Sequence, residues 1–369
     1  MKIEISRQNL LEAINKVKSV VPPRSALPIL SHLLLEAESD GILRVSATDL
    51  KVGIECQTPC TVEEAGSLTV ASQRLASITG ELPDQAIRIE LSDSNVVNLE
   101  CGRIRTKLYS MAPDEFPPVR KFDNVDPLIL NQRALKRLFT KTSFAISKDQ
   151  ARYTLTGLLC EIGNGKVVAV ATDSRRMSVC VDEQNVSEEL NHSVIIPGKM
   201  IQELERLLSD EGEVEVYIDE THAGFAFDSS RLVTALIEGT FPQYDAVVPK
   251  RHDKEALIDT GQFLEAVRRT RTMTNDKWNS VRFALDKGEM TLKVVTPEVG
   301  EYQEEISVEY EGDPVEVAFN PDFIIDVVRR IEEEKVSFNV KDSQNPGLIK
   351  PHSDSEEDNY LNVIMPIRI

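Results

Sequence analysis

The sequence predicts an α+β protein built from three tandem copies of one domain, each with two helices and several strands. One observation is that a hairpin, a threonine and an apolar residue before proline recur at an interval of about 124 residues. The other is that two amphipathic helical patterns fall within each interval. A length of 369 residues fits two or three domains of about 100–150 residues each.

The repeated hairpin consists of an apolar run, a tight turn and a second apolar run. The three turns contain Asp40-Gly41, Asn164-Gly165 and Lys287-Gly288. Asn-Gly and Asp-Gly between apolar runs predict hairpins because these residue types tolerate positive φ. The turn glycines are 124 and 123 residues apart. This regular spacing indicates a triplicated unit.

Two more landmarks repeat with the same interval. A threonine follows the second strand of each hairpin, at Thr48, Thr172 and Thr296. Each copy closes with an aromatic or apolar residue before proline, at Phe116-Pro117, Phe241-Pro242 and Met365-Pro366. We therefore predict three domains over residues 1–124, 125–250 and 251–369.

Each copy is expected to contain a first helix after its opening strand and a second helix at mid-length. The first helices are predicted over 9–17, 132–141 and 262–272, with Asn131 and Thr260 at N-cap positions. The second helices are predicted near 73–78, 200–208 and 322–331. The last has Asn320 as a plausible cap and Pro321 near its first position.

Charge is unevenly distributed along the chain. The net charge of −19 argues, taken alone, against nucleic acid, because phosphates are neutralised by Lys and Arg. The helical stretches are nevertheless neutral or basic, and 132–141 has four basic residues and no acidic one. If the six helices share one side, that side is neutral to basic and the outside is strongly acidic. The alternative is that these cations only solvate helix faces.

Composition indicates a globular protein that stays in the cytoplasm. Hydrophobic residues make up 41% of the chain, no apolar run reaches membrane-spanning length, and the N-terminus lacks a secretory signal. The five cysteines are expected to be small buried side chains in a reducing compartment. Cys56 and Cys60 have no partners that would complete a zinc site. No cofactor and no metal are expected.

Two other classes of function compete with a DNA role. An enzyme is suggested only by Gly163-Asn164-Gly165-Lys166, a fragment of a phosphate-binding loop without the full spacing or a following helix. A repetitive scaffold protein would share the repeat but would give the basic helices no function.

Several motifs in this order resemble the beta subunit of bacterial DNA polymerase III, the sliding-clamp family. They are Ala-Thr-Asp after the strand at Thr48 and Thr172, Leu27-Pro28-Ile29-Leu30, Arg152-Tyr153, Phe241-Pro242-x-Tyr244 and Met365-Pro366-Ile367-Arg368. The similarity runs along the whole chain, and it rests on the joint order and spacing of the motifs rather than on any single motif.

The resemblance implies a non-catalytic processivity factor that acts as a ring on DNA. Members form a homodimer from two head-to-tail half-rings, with helices on the inner face and sheets on the outer face. Double-stranded DNA would pass through the ring, held topologically and without sequence preference. The implied protein partners are DNA polymerase subunits, an ATP-dependent clamp loader and other proteins with a clamp-binding peptide motif. No membrane is implied.

The resemblance also implies a pocket that binds the partner's peptide. The matching positions are Leu155, Thr172, Ser174, Arg175, Arg176, Met177, Pro242, Val247, Pro346, Val363, Met365, Pro366, Ile367 and Arg368. The alternative, from the residues alone, is that these positions are ordinary core residues and a C-terminal strand rather than a binding pocket. The chain departs from some members at Ser174-Arg175, where they have Gly-His, and at Ala246, where they have a basic residue.

Two further sets of positions follow from the resemblance. For DNA they are Arg24, Arg74, Lys136, Arg137, Tyr153 and Lys199. For the dimer interface they are Arg103 and Leu108, in an edge strand near 103–108, and Thr272 and Met273, in a helix near 271–275. Thr106 and Thr272 stand where apolar residues are common among members, so the resemblance implies a less apolar dimer contact in this chain.

Overall fold

The computed structural model describes residues 1–92, 94–188, 190–248, 254–353 and 359–368. These residues form two compact units, one of Met1–Arg133 with Gln202–Leu236 and one of Ala134–Ile201 with Ile237–Ile369. Each unit combines elements of more than one sequence repeat. The domain boundary predicted between residues 250 and 251 lies outside the described residues.

Strands β1 to β9 belong to the first sequence repeat. They are β1 (Lys2–Ser6), β2 (His32–Ala37), β3 (Ile42–Thr48), β4 (Val52–Pro59), β5 (Thr61–Glu64), β6 (Gly66–Ala71), β7 (Ala86–Leu91), β8 (Val96–Cys101) and β9 (Ile104–Tyr109). Strands β10 to β17 belong to the second. They are β10 (Leu128–Asn131), β11 (Gly157–Gly163), β12 (Lys166–Thr172), β13 (Arg176–Glu183), β14 (Asn191–Pro197), β15 (Glu213–Ile218), β16 (His222–Phe227) and β17 (Ser230–Ala235).

Strands β18 to β25 belong to the third repeat. They are β18 (Lys254–Asp259), β19 (Val281–Asp286), β20 (Glu289–Thr296), β21 (Gly300–Ser307), β22 (Val315–Phe319), β23 (Lys335–Val340), β24 (Gly347–Pro351) and β25 (Tyr360–Ile364). The three predicted hairpins are present as β2–β3, β11–β12 and β19–β20. Gly41, Gly165 and Gly288 adopt φ of 79°, 74° and 74°, which explains why the turns need glycine.

Six helices occur in the described chain, two in each repeat as predicted. They are α1 (Arg7–Val17), α2 (Ser72–Glu81), α3 (Gln132–Thr142), α4 (Gly198–Leu207), α5 (Thr260–Arg271) and α6 (Pro321–Val328). None of these helices has the length and apolar character required to cross a bilayer. Asn320 caps α6 as predicted, since its side chain accepts a hydrogen bond from the Asp322 amide. The N-cap prediction at Thr260 is wrong, because the Asp259 carboxylate accepts from the Gln262 amide instead.

The buried faces of the helices and sheets form the core of each unit. Helix α1 buries Leu10, Ala13, Ile14 and Val17, at the spacing of a single helical stripe. In the other unit, four fully buried phenylalanines pack with ring centroids 5.8–6.2 Å apart. They are Phe263, Phe283, Phe319 and Phe338.

Two eight-stranded sheets join successive repeats by strand pairing. In one, β17 of the second repeat pairs antiparallel with β4 of the first, with Leu232 opposite Ile54. In the other, β25 of the third repeat pairs antiparallel with β13 of the second, with Asn362 opposite Ser178. Backbone hydrogen bonds therefore make each junction part of one continuous sheet.

An arginine at or just after the end of the second helix reinforces each of these junctions. Arg206 of α4 donates to the carbonyl oxygens of Asn15 (3.2 Å) and Lys16 (2.6 Å) at the end of α1. One repeat interval later, Arg330 donates to the Thr140 carbonyl of α3 (2.7 Å) and lies over the Phe144 ring at 4.4 Å. The last carbonyls of a helix lack intrahelical partners, so each guanidinium stabilises the end of a helix from the preceding repeat.

Candidate functional site

The turn between β12 and β13 holds several predicted site residues in a hydrogen-bonded loop. Thr172 Oγ1 donates to the Arg176 carbonyl (2.7 Å), and the Ser174 amide donates to Thr172 Oγ1 (3.1 Å). Asp173 Oδ1 accepts from the amides of Arg175 and Arg176, at 2.9 and 3.0 Å. Ser174, at a φ of 73°, also accepts a hydrogen bond from the Arg152 guanidinium. The loop is therefore rigid and leaves the Arg175 side chain exposed.

The first repeat has the same turn between β3 and β4. Thr48 Oγ1 donates to the Val52 carbonyl (3.0 Å), and Asp49 Oδ1 accepts from the amides of Lys51 and Val52. Leu50 has a φ of 75°, matching that of Ser174. The Ala-Thr-Asp motif thus encodes a defined turn, and the exposed residues at its tip differ between repeats.

Arg176 is placed for a structural role rather than for contact with a ligand. Its guanidinium lies over the rings of Phe144 (5.2 Å) and Phe323 (4.5 Å). It also pairs with Asp173 (3.1 Å) and Asp326 (2.7 Å), and its side chain is only 12% exposed. This residue therefore fixes the turn against α6 of the third repeat.

Three predicted pocket residues lie in one apolar cluster below the turn. Leu155, Met177 and Val363 are buried together with Phe241 and Leu348, and the partly buried Tyr244 and Leu361 pack against them. Burial, with a hydrogen bond from Tyr244 to Glu161 (2.7 Å), raises the pKa of the Tyr244 phenol. The cluster can therefore serve as the apolar floor of a surface site, with a neutral phenol at one side.

The C-terminal segment runs beside the turn. Strand β25 ends at Ile364, opposite Arg176, and the Met365 amide donates to the Arg175 carbonyl (2.8 Å). The Met365 side chain is 41% exposed, whereas Pro366 and Ile367 are half-buried and Arg368 is exposed. An accessible methionine beside a buried apolar cluster gives a surface that adapts to varied apolar side chains.

The other predicted pocket positions lie on loops of the same unit. Pro242 lines a cleft with Phe241 and Tyr244, whose short 3₁₀ turn ends at Ala246. Val247 is exposed and its amide donates to the Tyr244 carbonyl (3.0 Å). Pro346 is half-buried immediately before β24.

A second cleft beside the turn contains residues that the sequence interpretation missed. It has a volume of about 730 Å³, and Arg175, Ile367 and Arg368 form part of its wall. The remaining wall includes Lys277, Trp278, Arg282, Lys293 and Val295. The sequence did offer a signal for this cleft. The one tryptophan of the chain lies in the polar stretch 275–280, and a tryptophan in such a stretch is often a contact residue.

The residues predicted to contact DNA occupy different elements. Arg24 and Tyr153 are exposed on loops or short turns, and Arg74 is exposed on the first turn of α2. Lys136 and Arg137 lie on α3 and Lys199 on the first turn of α4, all half-buried. Arg137 forms an ion pair with Asp182 of β13 (3.0 Å), so part of its charge is neutralised.

The predicted interface residues lie at sheet edges and at the end of a helix. Arg103 is exposed just before β9, and Leu108 is half-buried within this edge strand. Helix α5 ends at Arg271, so the expected helix near 271–275 is mostly a turn. Thr272 is its exposed C-cap, and the carbonyl of Met273 accepts from Thr296 Oγ1 (2.6 Å).

The phosphate-loop fragment and the cysteines have structural roles. The phosphate-loop fragment is the β11–β12 hairpin, with Asn164 at a φ of 51°. Cys56, Cys101, Cys160 and Cys180 are buried, and Cys60 is half-buried. Burial raises the pKa of Cys160 to about 12 and of Cys180 to about 11, so both remain neutral thiols.

Comparisons with known proteins identify relatives over the whole chain. Family models for the N-terminal, central and C-terminal domains of the DNA polymerase III beta subunit match residues 1–120, 129–243 and 245–368. A protein named beta sliding clamp from Chlamydia pneumoniae is 32% identical over 369 residues, covering 100% of this chain and 99% of that protein.

Solved structures give the same result. A sliding clamp from Pseudomonas aeruginosa bound to griselimycin is 33% identical with a TM-score of 0.94, and 100% of each chain is covered. A sliding clamp from Bartonella birtlesii, also bound to griselimycin, is 29% identical with a TM-score of 0.95 and the same full coverage. The fold of three tandem clamp domains predicted from the sequence is confirmed.

The adjacent arginines of the β12–β13 turn should respond differently to substitution. Arg176→Ala is expected to lower the free energy of unfolding by about 2–4 kcal/mol, because Asp173 loses its partly buried partner, Asp326 keeps only Arg329 and Arg330, and the contacts with the Phe144 and Phe323 rings are lost. Arg175→Ala should change it by less than about 0.5 kcal/mol, since the side chain is exposed. Urea unfolding followed by circular dichroism measures both. Equal effects of the two substitutions would contradict the structural role of Arg176.

Proposed function

The chain belongs to the DNA polymerase III beta subunit family, and from this premise we propose that it is a sliding clamp that encircles duplex DNA. It would act as a non-catalytic processivity factor and tether the replicative polymerase to its template. The observation that carries the proposal is the match of three consecutive clamp-domain models along one chain. A topological link needs no tight or sequence-specific contact, and such contact would slow sliding.

The strand pairing between repeats supports a closed ring of two chains. The junctions are β17 with β4 and β25 with β13, and each joins the last strand of one repeat to an equivalent strand of the repeat before. By the repeat interval, β9 is the counterpart of β17 and β25, and β21 is the counterpart of β4 and β13. Both β9 and β21 are edge strands of their sheets. Pairing β9 of one chain with β21 of a second chain would extend the same pattern.

The charges of these two edges are complementary. Arg105 and Lys107 of β9 are exposed, and Arg103 immediately precedes the strand. Strand β21 carries Glu301, Glu304 and Glu305. A contact between different surfaces forms a closed assembly when its rotation closes, and we propose that two chains close head to tail in this way. Because Thr106 and Thr272 add little apolar area, charge pairs would contribute much of the specificity.

We assign the DNA-facing surface to the helices and to the exposed cations near them. Arg24, Arg74 and Tyr153 are exposed, and Lys136 and Lys199 add charge on α3 and α4. In a chain with a net charge of −19, the helices would provide the inner face of the ring, since α1, α3 and α5 are basic, α2 and α4 are neutral, and α6 alone of the described helices is acidic. Arg137 would contribute less, since Asp182 already neutralises it.

We assign the partner-peptide site to the surface around the β12–β13 turn and the C-terminal segment. Leu155, Met177 and Val363 would form its floor, and Met365 and Pro366 would form an accessible wall. Arg175, Pro242, Val247, Pro346, Ile367 and Arg368 would surround it. Its occupants would be motif peptides of polymerase subunits, an ATP-dependent clamp loader and other DNA-processing proteins.

A topological link to DNA can be tested by comparing circular with linear templates. After incubation with a clamp loader and ATP, the protein should remain on nicked circular DNA during gel filtration in high salt. It should be lost once the same DNA is cut with a restriction enzyme, because a ring slides off free ends. Equal retention on both forms would indicate ordinary binding and would favour a scaffold without a clamp function.

The proposed dimer contact can be tested by reversing charges on β9. Light scattering should give a dimer at micromolar concentration for the natural chain and a monomer for Arg105→Glu with Lys107→Glu, because both edges are then acidic. Adding Glu301→Lys and Glu305→Lys to that chain should restore the dimer. Lys51→Glu, in the exposed β3–β4 turn, serves as the control. A natural chain that stays monomeric would refute the two-subunit ring.

The peptide site can be tested at the C-terminal segment. Replacing Met365 and Pro366 with alanine should abolish binding of a polymerase-derived motif peptide in calorimetry, because the accessible apolar wall is lost. The circular dichroism spectrum should not change. Leu50→Ala is the matched control, since Leu50 is an exposed apolar residue at the tip of the equivalent turn of the first repeat. Unchanged affinity in the double variant would remove the assignment.

A further inference from the structure

The cleft lined by Trp278, which we call the basic cleft, concentrates positive charge in an acidic protein. Five cations line it, namely Arg175, Lys277, Arg282, Lys293 and Arg368, and Asp276 is the acidic residue among its lining side chains. Glu316 pairs with Arg282 at 3.1 Å, with both side chains half-exposed. The cleft therefore keeps a net positive charge while the whole chain is at −19.

Two of these cations are positioned at a cost to the fold. Arg282 of β19 and Lys293 of β20 are direct partners in the antiparallel pairing. Like charges opposite each other on adjacent strands destabilise a sheet. This arrangement concentrates positive charge on one face of the sheet, where it can attract an anion.

The same cleft exposes an aromatic and an aliphatic side chain. Trp278 is 47% exposed and Val295 is 53% exposed. Asn275 holds the turn that carries Trp278, because Asn275 Oδ1 accepts from the amides of Lys277 (3.1 Å) and Trp278 (2.9 Å). The Lys277 ammonium lies 5.9 Å from the indole ring centroid. The cleft thus offers a preorganised aromatic surface next to exposed cationic groups.

The basic cleft is continuous with the proposed peptide site. Arg175, Ile367 and Arg368 line the cleft, and the Arg175 carbonyl accepts from the amide of Met365 in the apolar wall. A peptide held at Met365 that extends past Arg175 would therefore enter the basic cleft. A peptide occupant matches the geometry better than nucleic acid, because the cleft begins where the apolar peptide site ends.

We propose that the basic cleft binds acidic residues that flank the hydrophobic motif of a partner peptide, and so ranks partners by the charge of their flanks. This inference rests on the proposed peptide site and adds a determinant of specificity to it. Exposed ion pairs are individually weak, but several acidic residues facing this group of cations would add measurably to affinity.

Trp278 makes the test specific because it is the one tryptophan in the chain. The test uses three synthetic peptides that lack tryptophan, share a polymerase-derived motif and differ only in the residues flanking it. The first has three serines on both sides of the motif. The second has three glutamates before the motif, and the third has three glutamates after it. Calorimetry gives the affinity, and Trp278 emission reports entry into the cleft. At about 50 mM salt one acidic peptide should bind about three- to ten-fold more tightly than the serine peptide and shift the emission. The difference should vanish near 1 M salt, where the Debye length is about 3 Å.

Charge reversal identifies the residues involved. Lys277→Glu with Lys293→Glu should remove the advantage of the acidic flank and leave the affinity for the serine peptide unchanged. The chain should still fold, because a glutamate at position 293 faces Arg282. Lys166→Glu, at the exposed start of β12, is the matched control and should retain the advantage.

The outcomes separate this inference from the peptide site itself. Equal affinities of the three peptides at low salt would overturn the acidic-flank proposal and leave the peptide site standing. Failure of all three to bind would overturn both. A single-stranded oligonucleotide that shifts the Trp278 emission through Lys293, without any flank effect among the peptides, would assign the basic cleft to nucleic acid and overturn the inference.

Discussion

The rest of the structure depends on one interaction, which is the backbone pairing between the last strand of one repeat and the fourth strand of the repeat before it. It occurs as β17 with β4 and as β25 with β13. Each pairing satisfies backbone groups that would otherwise form an exposed edge. Arg206 and Arg330 add hydrogen bonds to helix ends at the same junctions. The pattern leaves β9 and β21 at sheet edges, where the proposed second chain would pair.

The same pairing creates the proposed peptide site. Because β25 lies against β13, the C-terminal segment runs beside the turn that begins β13, and the Met365 amide reaches the Arg175 carbonyl. The turn itself is a repeated device that holds the backbone through Thr172 and Asp173 while its tip varies. The chain can therefore change the surface of the site without changing its support. Ser174 and Arg175 are at this variable tip.

The distribution of charge distinguishes the surfaces to which the proposed functions are assigned. Five of the six described helices are neutral or basic, and α6 is acidic through Asp322 and Asp326. The edge strand β9 is basic, β21 is acidic, and the basic cleft is a local exception in an acidic chain. Long-range charge favours a loose hold on DNA, whereas short-range pairs specify contacts between proteins. Partner peptides with acidic flanks would bind the basic cleft through such short-range pairs.

The sequence by itself determined the repeat, the hairpins, the two helices of each copy and the identity of the Ala-Thr-Asp turn, because these follow from local periodicity and turn chemistry. Tertiary structure decided what depends on side chains distant in the chain. A local detail also went unpredicted, since Asp259 rather than Thr260 caps α5 through the Gln262 amide three residues away. Arg176 packs between Phe144 and Phe323, and Trp278 joins Arg175 in one cleft. The contacts of Arg176 and the cleft shared by Arg175 and Trp278 join residues that are tens to more than a hundred positions apart, and no local sequence pattern predicts contacts at that separation.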